Sequence, residues 1–112
     1  MEVTVTQLEP VTVLAVQGSV DGLTAESLTQ ALAAHVGAGR VALVADFTGV
    51  KYISSAGLRS LIITLKSCRA KGGDFRLAAV QPAVHGVLSV AGFTKLIKVF
   101  DSVALAADSF SA

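Results

Sequence analysis

Short apolar runs with a two-residue alternation or a β-branched composition recur along the sequence and predict five strands. The first two runs flank Glu9-Pro10 and indicate an antiparallel hairpin at the edge of a sheet. The later runs are nearly all apolar, as strands buried on both faces of a sheet are. The predicted strands are residues 3–8, 11–16, 41–47, 75–80 and 96–100.

The segments between these runs carry apolar residues at helical spacing. The first helix is expected to have Thr24 as its N-cap and Gly37 as its stop, and Gly72-Gly73 marks the end of the second. In that second helix the stripe expected to be buried consists of Leu58, Leu61, Ile62, Leu65 and Cys68, with Arg59, Ser60, Lys66 and Arg69 mainly off it. The predicted helices are residues 23–36, 56–70 and 82–90, and a last one that Asp101 or Ser102 caps and that runs toward Phe110.

The order of elements is therefore β-β-α-β-α-β-α-β-α. This order predicts an α/β fold with a central mixed sheet, an initial antiparallel pair and helical crossovers. A length of 112 residues fits one domain over residues 1–112.

Composition excludes several classes of function. The formal net charge is +1 and no basic cluster is present, so a nucleic-acid partner is not expected. Although 53% of the residues are hydrophobic, no apolar run reaches the roughly 20 residues that span a bilayer. The beginning of the sequence lacks the features of a signal peptide, and the single cysteine, Cys68, fits a reducing compartment as a small buried residue. We therefore expect a cytoplasmic protein without membrane insertion.

Catalytic motifs are missing from the sequence. It contains no phosphate-binding glycine loop, no metal-ligand spacing of Cys and His and no nucleophile elbow. His35 and His85 fall in different predicted helices, and we interpret both as ordinary, partly exposed residues. Asp21 and Asp46 lie near the ends of predicted strands, but no nucleophile or metal accompanies them. We predict no enzyme activity, no cofactor and no metal.

The unusual segment is residues 46–59, in which a strand leads through a turn into a helix that begins Ser-Ser-Ala-Gly. The residues alone favour Ser54 or Ser55 as a simple N-cap. A second interpretation uses the same geometry, because a helix N-terminus tolerates a phosphate on a serine. Gly57 would then remove bulk beside the hydroxyl and let a kinase or phosphatase approach.

This segment resembles the strand-loop-helix motif of STAS domains, in particular that of bacterial anti-sigma factor antagonists. Asp46 to Leu58 follows the family pattern without a gap, and similar landmarks are Gly18-Ser-Val-Asp21, Thr24-Ala25-Glu26, Gly72-Gly73, Ala83-Val84 and Gly92-Phe93. The resemblance covers essentially the whole chain. The serine motif is its specific part.

The resemblance implies that Ser55 is the phosphorylated serine, with Ser54 as a second candidate acceptor in a place often held by Asp. Ala56 stands where other members carry a further serine. Residues expected to contact a partner are Asp21, Asp46, Ser54, Ala56, Gly57 and Leu58.

The mechanism that the resemblance implies is partner switching. The unphosphorylated protein would bind an anti-sigma factor that is a serine kinase, phosphorylation of Ser55 would release it, and a serine phosphatase would reverse the change. Two alternatives stay open: a scaffold subunit of a stress-sensing assembly of several STAS proteins, with weak self-association, and an accessory subunit of a lipid-transport system.

Overall fold

A five-stranded mixed sheet in the order β1-β2-β3-β4-β5 forms the centre of the structure, a computed structural model that describes residues 1–111. β1 pairs with β2 antiparallel, and β2, β3, β4 and β5 run parallel to one another. The initial hairpin therefore places β1 at the edge of the sheet, as predicted. The strands are β1 (Glu2–Leu8), β2 (Val11–Gln17), β3 (Ala42–Gly49), β4 (Asp74–Ala78) and β5 (Val99–Phe100).

Helices form the crossovers between the parallel strands and cover both faces of the sheet. They are α1 (Ala25–Gly37), α2 (Ser55–Ala70), α3 (Pro82–Val90) and α4 (Val103–Asp108), and a short 3-10 turn spans Phe93–Lys95. The predicted order of strands and helices is confirmed. α1, α2 and α3 share the larger apolar core on one face, whereas α4 packs on the other face in a smaller core with Val11, Val13 and Val44.

Several predicted strand boundaries differ from the structure, and two of these differences have a clear cause. β5 begins at Val99 rather than at residue 96, because Leu96 closes the 3-10 turn and the side chain of Ile97 is buried in the larger core. β4 ends at Ala78 rather than at residue 80, because Ala79 has a φ of 55°, which is incompatible with an extended strand.

The predicted polar face of α2 is also wrong at one position. Ser60 is buried in the contact between α1 and α2, where its hydroxyl lies 2.7 Å from that of Thr29 and forms a hydrogen bond with it. Leu58 and Ile62, expected to be fully in the stripe, are only half-buried and pack at its margin. The stripe is thus rotated toward α1.

An ion-pair network connects β4 with α2 and α4. Asp74 accepts hydrogen bonds from Arg69 at 3.0 Å and from Arg76 at 2.9 Å. Arg76 also donates to Ser109 Oγ at 2.7 Å and lies 3.9 Å from the centre of the Phe110 ring. Burial raises the pKa of Asp74, but the hydrogen bonds from the two arginines outweigh this effect and leave that pKa lowered.

Candidate functional site

The loops that follow β2 and β3 are joined at the end of the sheet where the parallel strands finish. Val20 N donates to Tyr52 O at 2.9 Å, and Ser54 N donates to Val20 O at 2.8 Å. Val20 and Ile53 form an isolated parallel bridge between these bonds. The start of α2 is therefore fixed to the loop that precedes α1.

The two adjacent serines at the start of α2 have different environments. Ser54 is the N-cap, and its Oγ accepts a hydrogen bond from Gly57 N at 3.2 Å. Ser55 is the first residue of the helix and is exposed, and its hydroxyl makes no hydrogen bond to any of residues 1–111. The structure thus assigns the capping role to Ser54 and leaves the hydroxyl of Ser55 accessible.

Gly57 has a different role from the one we expected. It is buried, and a Cβ added to it would lie 2.6 Å from Ile53 Cγ1, 2.9 Å from Val20 Cγ1 and 3.1 Å from Val20 O. Its missing side chain therefore faces the protein interior and does not clear a path to the serine hydroxyl. The glycine allows the first turn of α2 to approach the loop that contains Val20.

Asp21 organises the loop before α1. Its Oδ1 accepts hydrogen bonds from Leu23 N at 2.9 Å and from Thr24 N at 3.1 Å, and these bonds lower the pKa of Asp21. Thr24 occupies the N-cap position as predicted, but its side chain makes no capping bond; its hydroxyl lies 2.9 Å from Ser19 O. Because Asp21 follows Val20 directly, its carboxylate lies on the loop that contacts the start of α2.

Asp46 lies in β3, two residues after Val44, and so its side chain projects toward the face of the sheet that α4 covers. Its Oδ1 accepts from Thr48 N at 3.0 Å and from Thr48 Oγ1 at 2.6 Å. α2 packs on the opposite face. The side chain of Asp46 therefore projects from the face of the sheet opposite to the one that α2 covers.

A groove of about 300 Å³ lies between α1 and α2, beside the first turn of α2. Half-buried Ala56 lines this groove, together with Glu26, Thr29, Arg59, Ser60 and Ile63. Glu26 and Arg59 place opposite charges along it. Of the residues predicted to contact a partner, Ala56 and no other is among the residues that line this groove.

Sequence reasoning missed two exposed apolar residues in the loops that meet at the start of α2. Leu23 was assigned to the first helix, but α1 begins at Ala25, and Leu23 is 91% exposed in the preceding turn. Tyr52 is 54% exposed in the loop before Ser54. The nearby Asp-Gly-Leu-Thr sequence is a turn signal that could have placed Leu23 outside the helix. Isolated exposed apolar residues are common, but these two lie on the two loops that are joined at the start of α2.

The remaining candidates give no second site. Among residues 1–111, no group of three Cys, His, Asp or Glu side chains is placed to hold a metal ion. His35 is half-buried with its Nδ1 3.2 Å from a nitrogen of Arg40, and His85 is exposed. Cys68 is buried, and burial raises the pKa of its thiol to about 11. None of the helices in this part of the chain is both long and apolar enough to cross a membrane.

The structure is thus a small α/β domain in which the helix that begins at Ser55 is fixed to the loop preceding α1. The model of the STAS domain family matches residues 2–106, and the chain belongs to that family. The same residues that carry the sequence resemblance thus lie within the matched region.

Relatives and solved structures agree with this membership. A protein of Bordetella bronchiseptica that is provisionally named anti-sigma factor antagonist BtrV is 34% identical over 110 residues, which are 98% of this chain and 95% of the relative. The crystal structure of an anti-sigma factor antagonist from Mycobacterium paratuberculosis has a TM-score of 0.90 at 28% identity, covering 99% of this chain and 94% of that one.

The fold is also that of SpoIIAA, an anti-sigma factor antagonist solved in two forms. The unphosphorylated form has a TM-score of 0.84 at 14% identity, covering 98% of this chain and 96% of that one. The phosphorylated form, from Bacillus, has a TM-score of 0.75 over 97% and 99% of the two chains. Antagonists of this family are regulatory proteins and not enzymes, in agreement with the prediction of no catalytic activity.

Proposed function

We propose that this protein is an anti-sigma factor antagonist that binds a serine-kinase anti-sigma factor while Ser55 is unphosphorylated. Phosphorylation of Ser55 by that kinase releases the complex, and a serine phosphatase restores binding. The observation that carries the proposal is the environment of Ser55, whose hydroxyl is exposed and free of hydrogen bonds to residues 1–111 while Ser54 caps the helix.

The position of Ser55 makes phosphorylation compatible with the fold. Ser55 is the first residue of α2, where unpaired backbone N–H groups and the helix dipole favour negative charge by about 0.3–1 kcal/mol. No acidic residue occupies the first turn of α2. The phosphate therefore adds charge to the surface without disturbing a bond that stabilises the helix.

The surroundings of Ser55 explain why the same charge would weaken binding. Leu23 and Tyr52 expose apolar surface on the two loops that are joined at the start of α2, and Ile63, which lines the groove beside its first turn, is 44% exposed. The phosphate carries a charge of about −1.5 to −2, and a partner that covers this surface would remove that charge from water. A loss of about 3 kcal/mol would weaken the complex more than a hundredfold.

Binding and phosphorylation test the proposal with a purified serine-kinase anti-sigma factor from the same genome. We expect calorimetric titration to show that Ser55→Ala binds as the unmodified protein does and that Ser55→Asp binds at least tenfold more weakly. Ser89→Asp is the matched control, because Ser89 is an exposed serine on α3, and it should bind normally.

Mass spectrometry after incubation with the kinase and ATP identifies the acceptor. We expect the phosphate on Ser55 in the unmodified protein and in Ser54→Ala, and none in Ser55→Ala. A phosphate on Ser54 would contradict the assignment of the site. Failure of every kinase of this type to bind either form would contradict the function itself.

A scaffold subunit is the second candidate, and one observation favours it. Val90 is 92% exposed and Val87 is 41% exposed on α3, where they line an apolar groove of about 530 Å³. Sedimentation at micromolar concentration separates the two candidates. A stable oligomer that Val90→Lys dissociates would favour the scaffold, whereas a monomer would favour the antagonist.

A further inference from the structure

We infer that Arg59 is the intramolecular partner of a phosphate on Ser55 and holds that phosphate against the first turn of α2. The inference rests on the proposed function, because it concerns the phosphorylated state. It assigns to Arg59 a positioning role at the regulated residue.

The geometry of α2 places the two residues side by side. Ser55 is its first residue and Arg59 lies four positions later, so that both project from the same side of the helix with Cβ atoms about 5–6 Å apart. The negative group would be N-terminal to the positive one, which is the more favourable order for such a pair. A phosphate on Ser54 would lie five positions away and off this side of the helix.

Arg59 is available for this role in the unphosphorylated protein. Its side chain is exposed, and within residues 1–111 it makes no hydrogen bond or salt bridge, whereas Arg69 and Arg76 are both bound to Asp74. A phosphate would thus recruit a free guanidinium without breaking an existing contact. Arginine suits this role because its planar group binds phosphate oxygens in pairs.

Three other charged groups lie on the elements around Ser55. Glu26 of α1 lines the same groove as Arg59, Lys51 is exposed in the loop before α2, and the carboxylate of Asp21 is bound within its own loop. Of these four groups, Arg59 is the one that is both cationic and on the surface of α2 next to Ser55. Movement of its guanidinium toward the phosphate would also leave Glu26 without an opposing charge along the groove.

The consequence is that phosphorylation alters two parts of the partner surface. It adds negative charge at Ser55, and it draws the positive charge of Arg59 away from the groove between α1 and α2. A partner that contacts both parts would sense the modification over a wider area than the serine alone.

The test uses the full chain with phosphoserine installed at position 55 during synthesis, so that no kinase is needed. The second pKa of the phosphate, about 6 in a free phosphoserine, is measured by phosphorus NMR across pH 4 to 8. We expect Arg59→Gln to raise this pKa by about 0.3, because the cation that favours the doubly charged phosphate is lost. Arg59→Lys should retain most of the effect.

Lys66→Gln is the matched control, because Lys66 is an exposed cation on α2 about 16 Å from Ser55 along the helix. Circular dichroism confirms that each variant is folded. An unchanged pKa in Arg59→Gln, or an equal rise in Lys66→Gln, would overturn the role of Arg59. Neither result depends on a kinase, so that the absence of a kinase partner would overturn only the proposed function.

Discussion

Replacement of Gly57 by alanine would place a methyl group in a space that is already filled. The new Cβ would lie 2.6 Å from Ile53 Cγ1 and 3.1 Å from Val20 O. The carbonyl of Val20 cannot retreat freely, because it accepts the hydrogen bond from Ser54 N at 2.8 Å. The first turn of α2 must therefore shift away from the loop before α1.

The net effect on stability follows from two opposing contributions. Overpacking of a filled site costs about 1–3 kcal/mol. Alanine is better than glycine within a helix by about 1 kcal/mol, which offsets part of that cost. We therefore expect Gly57→Ala to lower the free energy of unfolding by about 1 kcal/mol, which moves the urea midpoint down by about 0.3–1 M.

Urea denaturation followed by circular dichroism measures this change. Gly86→Ala is the matched control, because Gly86 lies within α3 and a Cβ added to it meets no atom within 4 Å. The same substitution should there raise the free energy of unfolding by about 0.5–1 kcal/mol. Equal stabilisation by both substitutions would refute the argument that close approach requires the glycine at position 57.

Three further predictions concern single side chains. Ser54→Ala should lower the free energy of unfolding by about 1 kcal/mol through loss of the cap, whereas Ser55→Ala should change it by less than about 0.5 kcal/mol. Urea denaturation of the two variants measures both changes. Equal effects would contradict the assignment of Ser54 as the cap. The pKa of Asp74 is lowered in the folded state, so that the ionised carboxylate stabilises the fold above about pH 4, and this stabilisation is lost as the pH falls further. Asp74→Asn should lower the free energy of unfolding by about 2 kcal/mol at pH 7, and it should reduce the further loss of stability below about pH 4. An unchanged loss of stability in that acidic range would contradict the ion pair. Burial of Cys68, which raises the pKa of its thiol to about 11, should slow its reaction with a disulfide reagent at pH 8 by at least about 100-fold relative to the unfolded chain; rapid reaction of the folded protein would count against its burial.

The order of elements was predictable because it depends on short-range patterns. Strand runs, helical spacing and the signals at Gly72-Gly73 and Pro82 are all readable within a few residues, and they agree with β4 and α3 in the structure. The edge position of β1 followed from the hairpin alone.

Details that depend on distant contacts were not predictable. Ser60 was assigned to the polar face, but its hydrogen-bond partner, Thr29, is 31 positions away in the sequence and meets it only after α1 and α2 pack. The close approach that leaves no room for a Cβ at Gly57 depends in the same way on the bridge between Val20 and Ile53. The resemblance implied that Asp46 contacts a partner, but it did not show that this side chain lies on the face of the sheet opposite to α2.

The candidate site was predictable in part. Its location at the start of α2 followed from the motif, but the choice of cap between Ser54 and Ser55 required the backbone geometry that directs one hydroxyl toward Gly57 N. The exposure of Leu23 likewise depends on where α1 begins. Both are local features that propensity alone does not resolve.

Because Ser54 caps α2, the side chain at position 55 is not needed to stabilise the fold. The Oγ of Ser54 is bound to Gly57 N, whereas the Oγ of Ser55 contributes no hydrogen bond to residues 1–111. Position 55 can therefore change among serine, alanine and an acidic residue at nearly constant stability. Under the proposed function, a single substitution there would create, abolish or mimic the regulated charge, so that control of the protein could evolve without a change in its fold.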